Sequence, residues 1–220
     1  TDYKNSPQSE LISTYNYNIS LPLMKDTKNF INSLTPKLSF KVTPHDMKNK
    51  STTSRRMNAD NIFALDRLGL GNTFEAGESL TLGIDFIKEK INTEIIDGEE
   101  LIEIEKYFDF KLATVLRLNE ENYIPLNSTL NKRRSNIFGK AQFNPNVHTS
   151  INYNFSLTDS LDRFESNSLN IELNFDKFST SFDYLEESGV LGNANIIQNT
   201  TKFSLNEYNS ISFGTRRNRE

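Results

Sequence analysis

Apolar and polar side chains alternate with period two through most of this chain, and that pattern suits a strand with one greasy and one wet face. Ile151, Tyr153, Phe155 and Leu157 interleave with Asn152, Asn154 and Ser156, and Leu169, Ile171, Leu173 and Phe175 with Asn170, Glu172 and Asn174. The same holds for Leu80, Leu82, Ile84 and Phe86 against Thr81, Gly83 and Asp85, and for Leu38, Phe40 and Val42 against Lys37, Ser39 and Lys41. No stretch shows a comparable helical period. The alternation predicts strands over 11–23, 30–43, 74–89, 102–118, 135–143, 147–158, 164–175, 178–187, 196–205 and 208–217. Several exceed the roughly 9–11 residues of a tilted membrane strand and should project beyond a bilayer.

Composition decides what such strands can build. Hydrophobic residues are only 35% of the 220, below the usual globular share, so filling a closed core would be difficult. A barrel with a wet interior needs apolar side chains on its outer face alone. Cysteine is absent, which excludes thiolate metal sites, Cys nucleophiles and disulfides. The net charge of -4 argues against a nucleic-acid partner. No apolar run approaches the roughly 20 residues of a membrane helix, which leaves strand spans open.

The connections alternate in length. Met24–Asn29, Asp97-Gly98, Asn144-Pro145-Asn146, Asp176-Lys177 and Asn206-Glu207 read as tight turns, because Asn, Asp, Gly and Pro suit turn dihedrals. The alternate links, 44–73, 119–134, 159–163 and 188–195, are mostly longer. Short turns at one rim and long loops at the other are the habit of outer-membrane barrels, whose short turns are periplasmic. A soluble β-sandwich has no reason to keep this parity, although hairpins could imitate it. Tyr15, Tyr17, Tyr107, Phe175, Phe178, Tyr184 and Tyr208 fall near strand ends, where interfacial aromatics belong. The expected fold is therefore all-β: about ten meandering antiparallel strands forming an incomplete section of a transmembrane β-barrel. Residues 1–220 read as a single domain, an internal piece of a longer barrel protein whose export signal lies elsewhere.

Three groups of residues stand out. Asp66, Arg67 and Glu75 place charges inside an apolar segment, where each needs a partner. They could order a loop structurally, or fold it toward the lumen to shape a transport path. Basic clusters fall at Lys48, Lys50, Arg55 and Arg56, at Lys132, Arg133 and Arg134, and at Arg216, Arg217 and Arg219, all on the long-loop rim. They could meet lipid phosphates or remain solvated loop charge. The acidic stretch Asp97, Glu99, Glu100, Glu103 and Glu105 lies at the opposite rim, where it reads as a solvated turn or a periplasmic contact. His45 and His148 lack metal-ligand spacing, and no nucleophile, P-loop or paired-carboxylate motif appears, so neither an enzyme site nor a cofactor is expected.

One segment is more specific than a pattern. Asn61-Ile62-Phe63-Ala64-Leu65-Asp66-Arg67-Leu68-Gly69, followed by Phe74-Glu75-Ala76-Gly77-Glu78-Ser79 and Gly83, resembles the LptD family of lipopolysaccharide-assembly proteins. Pro36-Lys37-Leu38-Ser39-Phe40 looks like that family's strand before its long loop. Ser128-Thr129-Leu130-Asn131 through Arg134-Ser135-Asn136-Ile137-Phe138-Gly139 looks like its later passage from loop to strand. The resemblance implies a very large outer-membrane barrel of a Gram-negative cell, plugged by an LptE-like lipoprotein and fed by an LptA-like periplasmic bridge. Such a barrel inserts lipopolysaccharide into the outer leaflet through a lateral opening, and an ATPase elsewhere supplies the energy. Asn61, Phe63, Leu65, Asp66, Arg67, Glu75 and Gly77 carry the family motif. The alternative readings are a porin or plugged receptor and, from another class, a soluble β-sandwich binding module.

Overall fold

A computed structural model describes residues 11–96 and 99–219. The strands are β1 (Tyr15–Ser20), β2 (Leu23–Asp26), β3 (Phe30–Thr43), β4 (Gly77–Ile96), β5 (Glu99–Arg117), β6 (Ile137–Asn146), β7 (Thr149–Leu157), β8 (Phe164–Phe175), β9 (Phe178–Glu187), β10 (Ala194–Ser204) and β11 (Ser210–Asn218). All pair antiparallel in one sheet: β1 and β2 both lie along β3, each later strand pairs with the next through to β11, and the sheet does not close. The expected incomplete barrel section is what forms. The first expected strand is divided: Pro22 offers no N–H, so the ladder lapses between β1 and β2. Pairing resumes in the same register, from Ser20 opposite Lys37 to Leu23 opposite Leu34.

Most expected strand ends shift by a residue or more, and two differ in kind. The strands meant to stop at 89 and start at 102 continue as one long hairpin, with Ile96 paired to Glu99; the expected turn at Asp97-Gly98 lies outside the described residues. Asn144 and Pro145 belong to β6 rather than to a turn. The register slips by one residue between Phe143 and Asn146, a bulge that absorbs the proline. The reversal falls instead at Val147-His148, where the Asn146 side chain accepts the His148 N–H.

Cross-strand pairing sorts the side chains into two faces. One carries Leu38, Phe40, Leu82, Ile84, Leu112, Ile151, Ile171, Phe182 and Phe213; the other carries Ser39, Lys41, Ser79, Thr81, Ala113, Arg117, Asn152, Asn170 and Asp183. Burial runs against soluble practice. Thr81 is 1% exposed and Ser79 3%, whereas Phe40 is 44% and Phe213 64% exposed. The apolar face is bare, and the covered face is the polar one.

Two long connections cover it. Residues 44–76 and 118–136 fold back over the polar face of β3–β6 and enclose a small core of Met47, Met57, Ile62, Leu68, Leu70, Ala113, Val115, Ile124, Leu130 and Phe138. Arg56, in a connection rooted between β3 and β4, reaches Glu187 at the end of β9. A contact that skips five strands on the polar side puts that side on the inside of the curve. At the opposite rim, rings line the apolar face: Tyr107 lies 5.5 Å from Phe30 and 5.1 Å from Phe143, and Phe178 lies 5.0 Å from Phe203. The Lys88 ammonium sits 4.1 Å above the Phe30 ring. A ring girdle with a lysine amine at its margin is what an interfacial belt requires.

Candidate functional site

The 44–76 connection is held to the wall by a buried ionic cluster. Arg67 and Glu75, eight residues apart, meet as a fork on a carboxylate: Nε donates to Oε2 at 2.7 Å and Nη2 to Oε1 at 2.6 Å. The guanidinium also donates to Thr81 Oγ1 and Ser79 Oγ, each at 2.9 Å, on the polar face of β4. Two wall residues complete the cluster. Arg117 of β5 donates to Glu75 Oε1 and to the Ala76 carbonyl. Lys41 of β3 donates to the Leu65 carbonyl at 2.8 Å and to Glu75 Oε2 at 3.3 Å. All four residues are nearly inaccessible, so each charge depends on these partners for solvation. Burial pushes the Glu75 carboxyl up, but Arg67, Lys41 and Arg117 outweigh it and hold the group at about 2.

Glycines in the motif make room for this contact. Phe63 packs against the wall at Gly83, where an added Cβ would fall 2.7 Å from the edge of its ring. Gly77 turns the chain into β4 with φ +82, and a Cβ there would meet the Arg117 guanidinium at 3.0 Å. A second clamp holds the far end of the connection. Asp60 lies between Lys111 of β5 and Lys140 of β6, 2.6 and 2.7 Å from their amines. Burial nudges its carboxyl up, but those two ammonium groups outweigh burial and lower it. Beyond that, Arg56 grips Glu187 with both terminal nitrogens and donates to the Leu191 carbonyl at 3.1 Å.

The second connection seals the first. Ser128, Thr129, Leu130, Ser135 and Asn136 are all buried, and Asn136 Nδ2 donates to Ser156 Oγ at 2.9 Å and Glu165 Oε2 at 2.7 Å. The two loops join through Lys50 N–H to the Tyr123 carbonyl and Arg55 N–H to Asn127 Oδ1.

The sequence candidates therefore divide. Arg67, Glu75, Phe63 and Gly77 come together on the wall. Asp66 does not join them: it is exposed, and its carboxylate accepts the Gly69 N–H at 3.0 Å in a local turn. Asn61 caps the neighbouring turn by accepting the Asn58 N–H, and Leu65 is half-exposed, contributing its carbonyl. The basic residues do not form one patch. Lys48 Nζ donates to the Asn72 carbonyl and Arg55 to the Gly69 carbonyl, within the loop itself. Lys132, Arg133 and Arg134 sit at the end of the sealing loop, and Arg216 and Arg217 stand on β11, five strands from β6. Lys41, Arg117, Asp60, Lys111, Lys140 and Glu187 were not singled out from the sequence. Their one signal was position: Lys41 and Arg117 are the last polar-face charges on the strands flanking the motif.

A one-sided sheet with an apolar exterior, a polar interior and loops docked inward defines a membrane β-barrel wall. The chain matches the model of the LptD family, LPS transport system D, over residues 1–210, and it belongs to that family. Membership ties it to lipopolysaccharide transport and assembly at the Gram-negative outer membrane. A comparison with curated proteins finds no match.

Proposed function

We propose that this chain forms part of the lumenal wall of a lipopolysaccharide translocon, and that the 44–76 connection is a fixed lining of its transport path rather than a mobile external loop. The observation that carries this is the Arg67–Glu75 fork, buried with Lys41 and Arg117 on the polar face while the apolar face lies bare. A soluble sandwich would bury the opposite face, which weighs against that reading. An LptE-like plug and an LptA-like periplasmic bridge belong to the same proposal. So do phosphate contacts from Lys132, Arg133, Arg134, Arg216 and Arg217, together with Lys48, Lys50 and Arg55; Arg56 is already engaged by Glu187.

Photo-reactive residues test it. With the reactive group at Asn152 or Asn170 on the inner face, lipopolysaccharide adducts should form during a pulse of its synthesis and fade in the chase. Adducts at Ile171, on the outer face, should persist unchanged through the chase, as for bulk lipid. Inner positions that never label in cells actively exporting lipopolysaccharide would refute the proposal. Neutralising the three basic clusters should weaken adduct formation; unchanged yields would remove the phosphate contacts from the account.

A further inference from the structure

The β4–β5 hairpin is longer than the sheet that carries it. β3 ends beside β4 with Phe30 opposite Lys90, and β6 leaves β5 with Phe143 opposite Phe108. Pairing within the hairpin continues to Ile96 and Glu99, six residues further, or about 20 Å past the last shared rung. Among the described residues no strand pairs with either edge of this ribbon, although Asn144 to Asn146 at the end of β6 run beside Glu105 and Lys106. The final neighbouring contacts are Ile91 N–H to the Asn29 carbonyl and Asn144 Nδ2 to the Lys106 carbonyl.

A bulge sits where the ribbon leaves the sheet, and it reverses the faces. Lys88 pairs with Phe108 but Glu89 pairs with Lys106, so Tyr107 is the extra residue. Its ring joins Phe30 and Phe143 in the girdle. In the sheet, Phe108, Phe110 and Leu112 point to the outer, apolar face. Beyond the bulge, Ile104 and Ile102 share a face with Ile91 and Thr93, continuous with inward-facing Thr81, Gly83 and Asp85. Glu103 and Glu105 share the outward face with Lys90 and Asn92. Ile102 is 61% exposed and Ile104 54%. Seven acidic residues against one lysine between 89 and 105 leave the ribbon at net -6.

We propose that the free edge of β5 over residues 101–105, beyond the Asn144 contact to Lys106, accepts an extended strand of a partner protein that alternates apolar with basic residues. Main-chain groups along the edge supply the ladder, as in strand addition to any open sheet. The register of faces then sets the chemistry. Alternate side chains of the incoming strand lie beside Ile102 and Ile104 and must be apolar. The intervening ones lie beside Glu103 and Glu105 and must be cationic, since opposite charges attract and like charges repel across a rung. The proposal rests on the ribbon alone and not on what the barrel transports.

The test uses the protein in lipid nanodiscs and three labelled peptides. One alternates valine with lysine, one alternates valine with glutamate, and one carries the first composition as separate valine and lysine blocks. The alternating lysine peptide should bind at least about tenfold more tightly than either control, and it should slow amide exchange over 101–105. Charge reversal by Glu103→Lys with Glu105→Lys should invert the preference toward the glutamate peptide. Ile102→Asn with Ile104→Asn should abolish both, with the sheet's resistance to detergent unfolding intact. Three results would overturn the idea: equal binding by blocked and alternating peptides, a preference that survives charge reversal, or exchange over 101–105 already slow without peptide because lipid covers the ribbon.

Discussion

Replacing Glu75 with Gln removes the one anion among three buried cations, so it tests whether the 44–76 connection is docked by charge. Glu75 is 2% exposed, and its carboxylate is held at about 2 against an ordinary 4.5. That depression corresponds to about 3 kcal/mol of docking free energy at neutral pH. Removing one member of a buried ionic group costs a similar 3–5 kcal/mol or so, because the remaining charges lose their partner. Both routes give roughly a hundredfold or greater rise in the undocked population. Trypsin can read that population after Arg67, which is only 5% exposed when docked, provided that reclosing outruns cleavage. Cleavage there should accelerate about a hundredfold or more in Glu75→Gln at pH 7. The pH dependence carries its own sign. A depressed carboxylate contributes fully above its unfolded value of 4.5 and loses that contribution as pH falls through about 2. Amide protection across 65–70, corrected for intrinsic exchange, should hold down to pH 4 in the native protein, weaken below it and be lost toward pH 2. In Glu75→Gln it should be low throughout. Native cleavage rates in the variant, or release of the native loop already at pH 5, would refute charge docking.

Three further outcomes follow from the same wall. Gly83→Ala should displace Phe63, since the new methyl would fall 2.7 Å from its ring; overpacking of this kind costs about 1–3 kcal/mol, measurable as faster cleavage at Arg67. Adding Phe63→Ala to Gly83→Ala should cost less than the two changes summed, because the shared contact is lost only once. Asp60→Asn acts on ion pairs that water still reaches, so it should cost no more than about 1 kcal/mol; the docked loop should loosen at Arg55 and Arg56 with salt while Arg67 stays protected. Arg56→Ala should raise maleimide labelling of a cysteine placed at Asn58 without changing labelling at Leu68, because it releases only the reach to Glu187 and Leu191.

The strands were legible because a sheet with one lipid-facing side writes its register into every second residue. β3, β8 and β9 fall where alternation puts them, at 30–43, 164–175 and 178–187. Bulges are harder to see, since a single extra residue leaves the even-numbered positions from Ile102 to Leu112 apolar in sequence except at Lys106, while turning their lower half to the other face. Pro145 read as a turn because proline usually ends a strand, yet a bulge lets it stay. In the site, Arg67 with Glu75 could be found because two opposite charges share an apolar segment. Lys41 and Arg117 could not, because on their strands they look like any other polar-face charge. Only the folded loop distinguishes the lysine that meets Glu75 from the one, Lys37, that meets Asp85.

The low apolar content and the inward loops are two sides of one constraint. With 35% hydrophobic residues, and most of those committed to the outer face, the chain has few left to hold a long loop against a polar wall. Ile62, Leu68, Leu70, Met47 and Met57 supply a small core, but it forms only where Ala113, Val115 and Phe138 interrupt the polar face of β5 and β6. Elsewhere the loop must meet serine, threonine, lysine and arginine, and burying those groups is favourable only if each finds a partner. This explains why the connection carries Asp60, Arg67 and Glu75 rather than more leucine: each answers a polar group that the strand pattern had already placed on the inner face. It also explains why Gly83 lies under Phe63, since a ring can cover a polar wall closely only where one wall residue has no side chain. A loop fastened this way is selective about register. Sliding it by one residue along the wall would carry the Arg67–Glu75 fork out of reach of Arg117 and Lys41 together and leave those two wall cations buried without their anion.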